Sequence, residues 1–184
     1  ANIFKYIVKP WGNQLKIILE EAQKYYLENK KNQYKDSLTS LKSEHTILDS
    51  LYVEIKRSTR YDTNLSTVLL SIANPKSDSE LHAFLVDRFL LKRIADILAL
   101  ELRESDFAGR LKDNKFLVLL TETDQEGSGI FINRFMKRID QFEKKVNKGL
   151  LPYKIDKALY TLKHDQSLEP EELIQLLYEN LGKD

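Results

Sequence analysis

Three stretches of this 184-residue sequence set an arginine three positions ahead of an aspartate: Arg93–Asp96, Arg103–Asp106 and Arg110–Asp113. A guanidinium offers a planar fork of N–H donors that fits phosphate or carboxylate oxygens, and a carboxylate accepts N–H protons. Within a helix that spacing lets the two side chains neutralise each other as an ion pair worth about 0.2–0.5 kcal/mol. Outside one, both can turn to a ligand. Among the other basic side chains, Arg88, Lys112 and Lys115 either surround an anion, if the fold brings them together, or are separate solvated charges. Other chemistry has little to work with. His45, His82 and His164 are scattered and lack a metal-ligand motif, cysteine is absent, and no nucleophile motif of the G-x-S-x-G or Cys–His kind occurs. The expectation is binding without catalysis, without metal and without cofactor.

These side chains need a scaffold, and the chain alternates helical and extended patterns. Phe4–Val8 reads as a strand stopped by Lys9-Pro10-Trp11-Gly12. From Asn13 the apolar residues Leu15, Ile18, Leu19, Ala22, Tyr26 and Leu27 fall at helical spacing. After a turn at Asp36–Leu41, a second amphipathic helix points Leu48, Leu51, Ile55 and Tyr52 inward. Ser66–Ala73 predicts a buried strand, Ala83–Leu102 a helix, and Phe107–Leu111 with Phe116–Leu120 a hairpin. A helix over about Ser128–Lys144 carries Ile130, Phe131, Phe135, Ile139 and Phe142 on one side. Tyr153–Leu162 predicts a last strand and Pro170–Leu181 a last helix, its proline in the first turn where a missing N–H costs nothing. Interleaved helices and strands around a hairpin imply an α/β or α+β fold with a mixed sheet.

Composition narrows the partners. Basic residues number 29 and acidic ones 28, so nothing in the balance suggests nucleic acid or an anionic membrane. No apolar run is long enough to span a bilayer, and the absence of cysteine suits a reducing cytoplasm, the expected location.

The stretch Asp36-Ser37-Leu38-Thr39-Ser40-Leu41 resembles the D-x-L-T-G-L that opens GGDEF (diguanylate cyclase) domains, and Arg110-Leu111-Lys112-Asp113-Asn114-Lys115-Phe116 resembles their R-Y-G-G-D-E-F hairpin, keeping the flanking Arg and Phe. The two align without a gap from Asp36 to about Arg134. The resemblance implies a central five-stranded sheet wrapped by helices, like that of nucleotide cyclases. Ahead of it, Tyr6-Ile7-Val8-Lys9-Pro10-Trp11 and Leu15-Lys16-Ile17-Ile18 resemble the last strand, turn and helix of a response-regulator receiver domain. The organisation expected is a receiver remnant with linker helix over 1–35 and a degenerate GGDEF domain over 36–184.

Diguanylate cyclases join two GTP molecules, and that needs carboxylates to hold divalent metal on the triphosphate. By the resemblance, the metal-ligand positions of the first strand are Ser71 and Ala73. In the hairpin, Lys112 and Asp113 replace the two glycines and Asn114 and Lys115 the acidic pair. The guanine-reading positions become Ser79 and Arg88, and an arginine has no acceptor for guanine's N–H groups. Lys76, a family lysine beside the phosphates, survives. A lysine in place of a metal-binding acid reverses the local charge, so the implication is an inactive cyclase.

The resemblance also implies what stays. Many GGDEF domains carry a second site for their product, cyclic di-GMP, marked by R-x-x-D just before the hairpin; Arg103-Glu104-Ser105-Asp106, separated from Lys112 by the five residues Phe107–Leu111, has that position, and neither other R-x-x-D does. The same alignment brings Arg134 to the site from the next helix and Arg57 from the first. The function implied is a cyclic di-GMP receptor in two-component signal transduction in bacteria. The rival is a docking or self-association module using the Asn13–Tyr26 helix, and residual cyclase activity stands third.

Overall fold

The computed structural model describes residues 15–24, 34–73, 80–147, 153–163, 166 and 168–183, with the side chains of 80–87 and 146–147 left out. The receiver-like residues Tyr6–Trp11 and the positions Lys76, Ser79 and His164 lie outside the described residues, as does the side chain of His82. Residues 15–24 are helical. The remaining order is α1 (Glu44–Tyr61), β1 (Leu65–Ala73), α2 (Glu80–Glu101), β2 (Phe107–Arg110), β3 (Lys115–Thr121), α3 (Gln125–Phe142), β4 (Lys154–Leu162) and α4 (Pro170–Asn180). A π-helical turn over Glu143–Asn147 prolongs α3.

β1 is central because its nine residues are almost wholly buried. It pairs antiparallel with β3 on one side and β4 on the other, giving the order β2-β3-β1-β4. The sheet therefore has four strands among the described residues, and the residue patterns mark all four; the strand expected over Phe4–Val8 lies outside the described residues. The fifth strand was implied by the family resemblance alone, and the pairing is antiparallel throughout. An isolated parallel bridge between Lys42 and Gly109 adds one rung beyond β2.

Alternation on β1 divides the core into two layers. Val68, Leu70 and Ile72 face Leu91, Ile94 and Leu98 of α2 and Phe131, Phe135 and Ile139 of α3. Leu65 and Leu69 face Ile47, Leu51 and Ile55 of α1 and Leu173 and Leu177 of α4. Two inward assignments fail. Tyr52 and Ile130 are both more than half exposed, because each stands one residue, about 100°, off its helix's buried stripe.

Local chemistry sets the ends. Ser43 caps α1 by accepting from the Thr46 amide, Asp124 caps α3 through the Gly127 amide, and Glu169 and Glu172 form a reciprocal capping box on α4. The β2–β3 turn has positive φ at both Asp113 (54°) and Asn114 (56°), the backbone of a two-residue type I′ hairpin. Asp and Asn tolerate that region, so the hairpin closes without glycine.

Candidate functional site

The first candidate region lies where β1 ends beside the hairpin. Ser71 pairs in register with Lys115 on β3 and with Asp156 on β4, and the Ile72 amide donates to the Asn114 carbonyl at 3.0 Å. The hairpin and the end of the first strand thus meet as the resemblance requires. What meets there is a hydroxyl and an ammonium. Lys115 Nζ sits 3.9 Å from the Asp113 carboxylate and 5.6 Å from the centre of the Tyr178 ring. Burial, then the charges of Asp113 and Glu44, push the Tyr178 phenol above its ordinary pKa. The neighbouring carboxylates are each matched to a lysine: Asp113 to Lys115, and Asp156 to Lys154 at 2.6 Å. Lys112 and Arg88 are exposed, Lys112 in the turn and Arg88 on α2. Among the described residues no group of three metal-binding side chains comes together.

Asp36 ties the domain's opening segment to this hairpin. Its carboxylate accepts from the Thr39 amide (2.8 Å) and hydroxyl (2.7 Å) and pairs with Arg110 at 3.4 Å. Burial works to raise the Asp36 pKa, but the Thr39 hydrogen bonds and the Arg110 charge outweigh it and hold the group below the usual carboxylate range.

The three R-x-x-D pairs meet three different fates. Arg93 and Asp96 form an ion pair inside α2 at 3.7 Å. Arg110 turns away from Asp113 to Asp36. Arg103 and Asp106 do neither, because α2 stops at Glu101 and the pair occupies the turn that follows. Asp106 braces that turn: one carboxylate oxygen accepts from the Arg103 amide (3.1 Å), the other from the Thr121 amide of β3 (3.2 Å). Each oxygen keeps a second lone pair. The Arg103 guanidinium has no ion-pair partner among the described residues.

Arg103 and Asp106 share a cleft of about 60 Å³ with Thr123, Gly127, Ile130 and Arg134. Three of the four residues expected in a ligand site therefore converge. Arg57 does not. It pairs with the buried Glu54 at 3.7 Å and lines a separate cavity of about 280 Å³ with Tyr61, Asn64 and Glu122.

One residue of this region escaped sequence reasoning. Glu101, the last residue of α2, is buried, and its carboxylate takes the Arg134 Nε–H in a short hydrogen bond. Its main-chain carbonyl accepts from Arg134 Nη2 at 2.6 Å. Arg138 Nε lies 2.7 Å from the other carboxylate oxygen, a close charge contact that is not aligned as a hydrogen bond. The only signal in the sequence was the spacing of four between Arg134 and Arg138, which places both on one helix face.

The family model described as "Diguanylate cyclase, GGDEF domain" matches residues 33–181. The chain belongs to the GGDEF family. That match extends past Arg134 over β4 and α4. Among solved structures, this GGDEF chain is similar to the coiled coil and GGDEF domain of DgcB from Caulobacter crescentus in complex with c-di-GMP, at 11% identity and TM-score 0.71, covering 90% of this chain and 87% of that one. It is similar to diguanylate cyclase SiaD in complex with its activator SiaC from Pseudomonas aeruginosa, at 19% identity and TM-score 0.65 over 91% of this chain but only 66% of that one. The FimX GGDEF domain from Pseudomonas aeruginosa matches at 14% identity and TM-score 0.64, over 79% of this chain and 90% of that one. At these identities the likeness is one of fold. Comparison with curated proteins gives no match.

Proposed function

We propose that this GGDEF domain is a non-catalytic receptor for cyclic di-GMP. The observation that carries the reading is the convergence of Arg103, Asp106 and Arg134 on one cleft, with the Arg103 guanidinium unspent. A cyclic dinucleotide presents phosphates for the two arginines and guanine N–H groups for the spare lone pairs of Asp106. The DgcB structure's bound c-di-GMP supports the choice of ligand. Loss of cyclase chemistry is supported by the residues at the end of β1: a triphosphate with its magnesium meets Ser71, Ala73, Asn114 and Lys115, and both nearby aspartates are paired with lysines.

Isothermal titration with cyclic di-GMP tests the reading. Wild-type protein should bind and Arg103→Ala should not; no heat from wild type at high micromolar ligand would end it. Protein incubated with GTP and magnesium should yield no cyclic di-GMP by chromatography.

A docking role is the second reading. Within the helical residues 15–24, Ile17 and Leu19 are 52% and 59% exposed, apolar surface that a second copy or a protein partner would cover. The SiaD–SiaC complex offers a precedent for a protein partner. In a response regulator, this helix would descend from the receiver and carry its signal into the GGDEF domain. Light scattering that shows association, with no nucleotide raising the melting temperature, would favour this role over the receptor.

A further inference from the structure

We infer that Glu101 is a positioning residue for the cyclic di-GMP cleft, an anchor that clamps one edge of the Arg134 guanidinium so that its other edge faces the ligand. The inference rests on the receptor reading and concerns how that site is built. A guanidinium has two usable forks, Nε with one terminal nitrogen and the two terminal nitrogens together. In this structure the first fork is spent on a single residue: Nε–H on the Glu101 carboxylate and Nη2 on the Glu101 carbonyl. The second fork, Nη1 with the remaining Nη2 proton, stays available, and Arg134 is 48% exposed where it lines the cleft.

Glu101 is suited to hold rather than to compete. Its side chain is only 3% exposed and it stands three residues after the core residue Leu98, on the same side of the helix, so the carboxylate is held rather than free to follow the arginine. Arg138 Nε stands 2.7 Å from its other oxygen, a second positive charge that helps keep the carboxylate in place. A long, flexible side chain becomes a fixed fork, and the ordering cost of binding falls because folding has already met it.

The sign of this effect opposes simple electrostatics, which makes it testable. Removing a negative charge beside a dianionic ligand should tighten binding if charge alone mattered. An anchor predicts the reverse: Glu101→Gln exchanges a charge-assisted hydrogen bond for a weaker neutral one, loosens Arg134 and weakens cyclic di-GMP binding by up to about tenfold by calorimetry. Equal or tighter binding by a folded Glu101→Gln overturns the inference while leaving the receptor reading intact. No binding by wild type overturns both.

Should Glu101→Gln fail to fold, arginine side-chain NMR of the wild type decides. The Arg134 Nε–H should be protected from exchange in the free protein and remain so at saturating cyclic di-GMP, while the Nη signals shift. Release of the Nε–H on saturation would mean that the ligand displaces Glu101, and the anchor would be refuted.

Discussion

Asp36 and Arg110 stand 74 residues apart in sequence, yet their side chains meet at 3.4 Å and tie the turn that opens the domain to the strand that enters the hairpin. Because Asp36 is held below its ordinary pKa of 3.8, its contribution is fully present above that value and disappears as pH falls through the lower, folded-state pKa. Asp36→Asn should cost about 1–2 kcal/mol at neutral pH, the scale of a lost charge-assisted hydrogen bond. Urea denaturation of both proteins should show that gap closing below about pH 4.

Ser40 follows Thr39 in the same turn with φ at 62°, where the family pattern has glycine. Its amide donates to the Asp36 carbonyl at 2.8 Å, so the turn is fixed and the left-handed backbone is strained. Ser40→Gly should stabilise the protein by about 0.5–1 kcal/mol, because relief of strain exceeds the added freedom of the unfolded chain. Asn114→Gly should gain less, since asparagine already tolerates its 56°. Thermal denaturation of the two variants checks the order.

Gly109 is small for a different reason. A Cβ there would stand 2.3 Å from the Ile47 Cβ, where β2 packs against α1. Neither neighbour can yield cheaply, so Gly109→Ala should destabilise by about 2–3 kcal/mol, at the upper end of overpacking costs. Urea midpoints read this directly.

The two candidate arginines outside the R-x-x-D turn should part company. Arg134→Ala should weaken cyclic di-GMP binding by about ten- to a hundredfold, the loss of one or two hydrogen bonds to charge. Arg57→Ala should leave affinity within about twofold, as expected for a side chain in a separate cavity. Calorimetry on the pair separates them; equal losses would place the ligand across both cavities.

Much of this architecture was legible in the residues. The strand patterns at 66–73, 107–111, 116–120 and 153–162 fall within a residue or two of β1 to β4, because buried strands and turn residues signal locally. Position relative to the hairpin also singled out Arg103 and Asp106 from two look-alike pairs. What stayed hidden depends on distance through the chain. Glu101 looks like an ordinary helix-end acid until α3 brings Arg134 and Arg138 to it from 33 and 37 positions away. Arg57 lines a cavity apart from the other three, for alignment can equate a position without fixing which cavity it faces.

The left-handed pair Asp113–Asn114 carries a wider consequence. In this hairpin the demand of shape is met without glycine, since short polar side chains satisfy the bend that glycine would otherwise supply. The sequence of this turn can therefore change while the sheet it joins stays intact. Selection is then free to act on whatever the folded surface can hold.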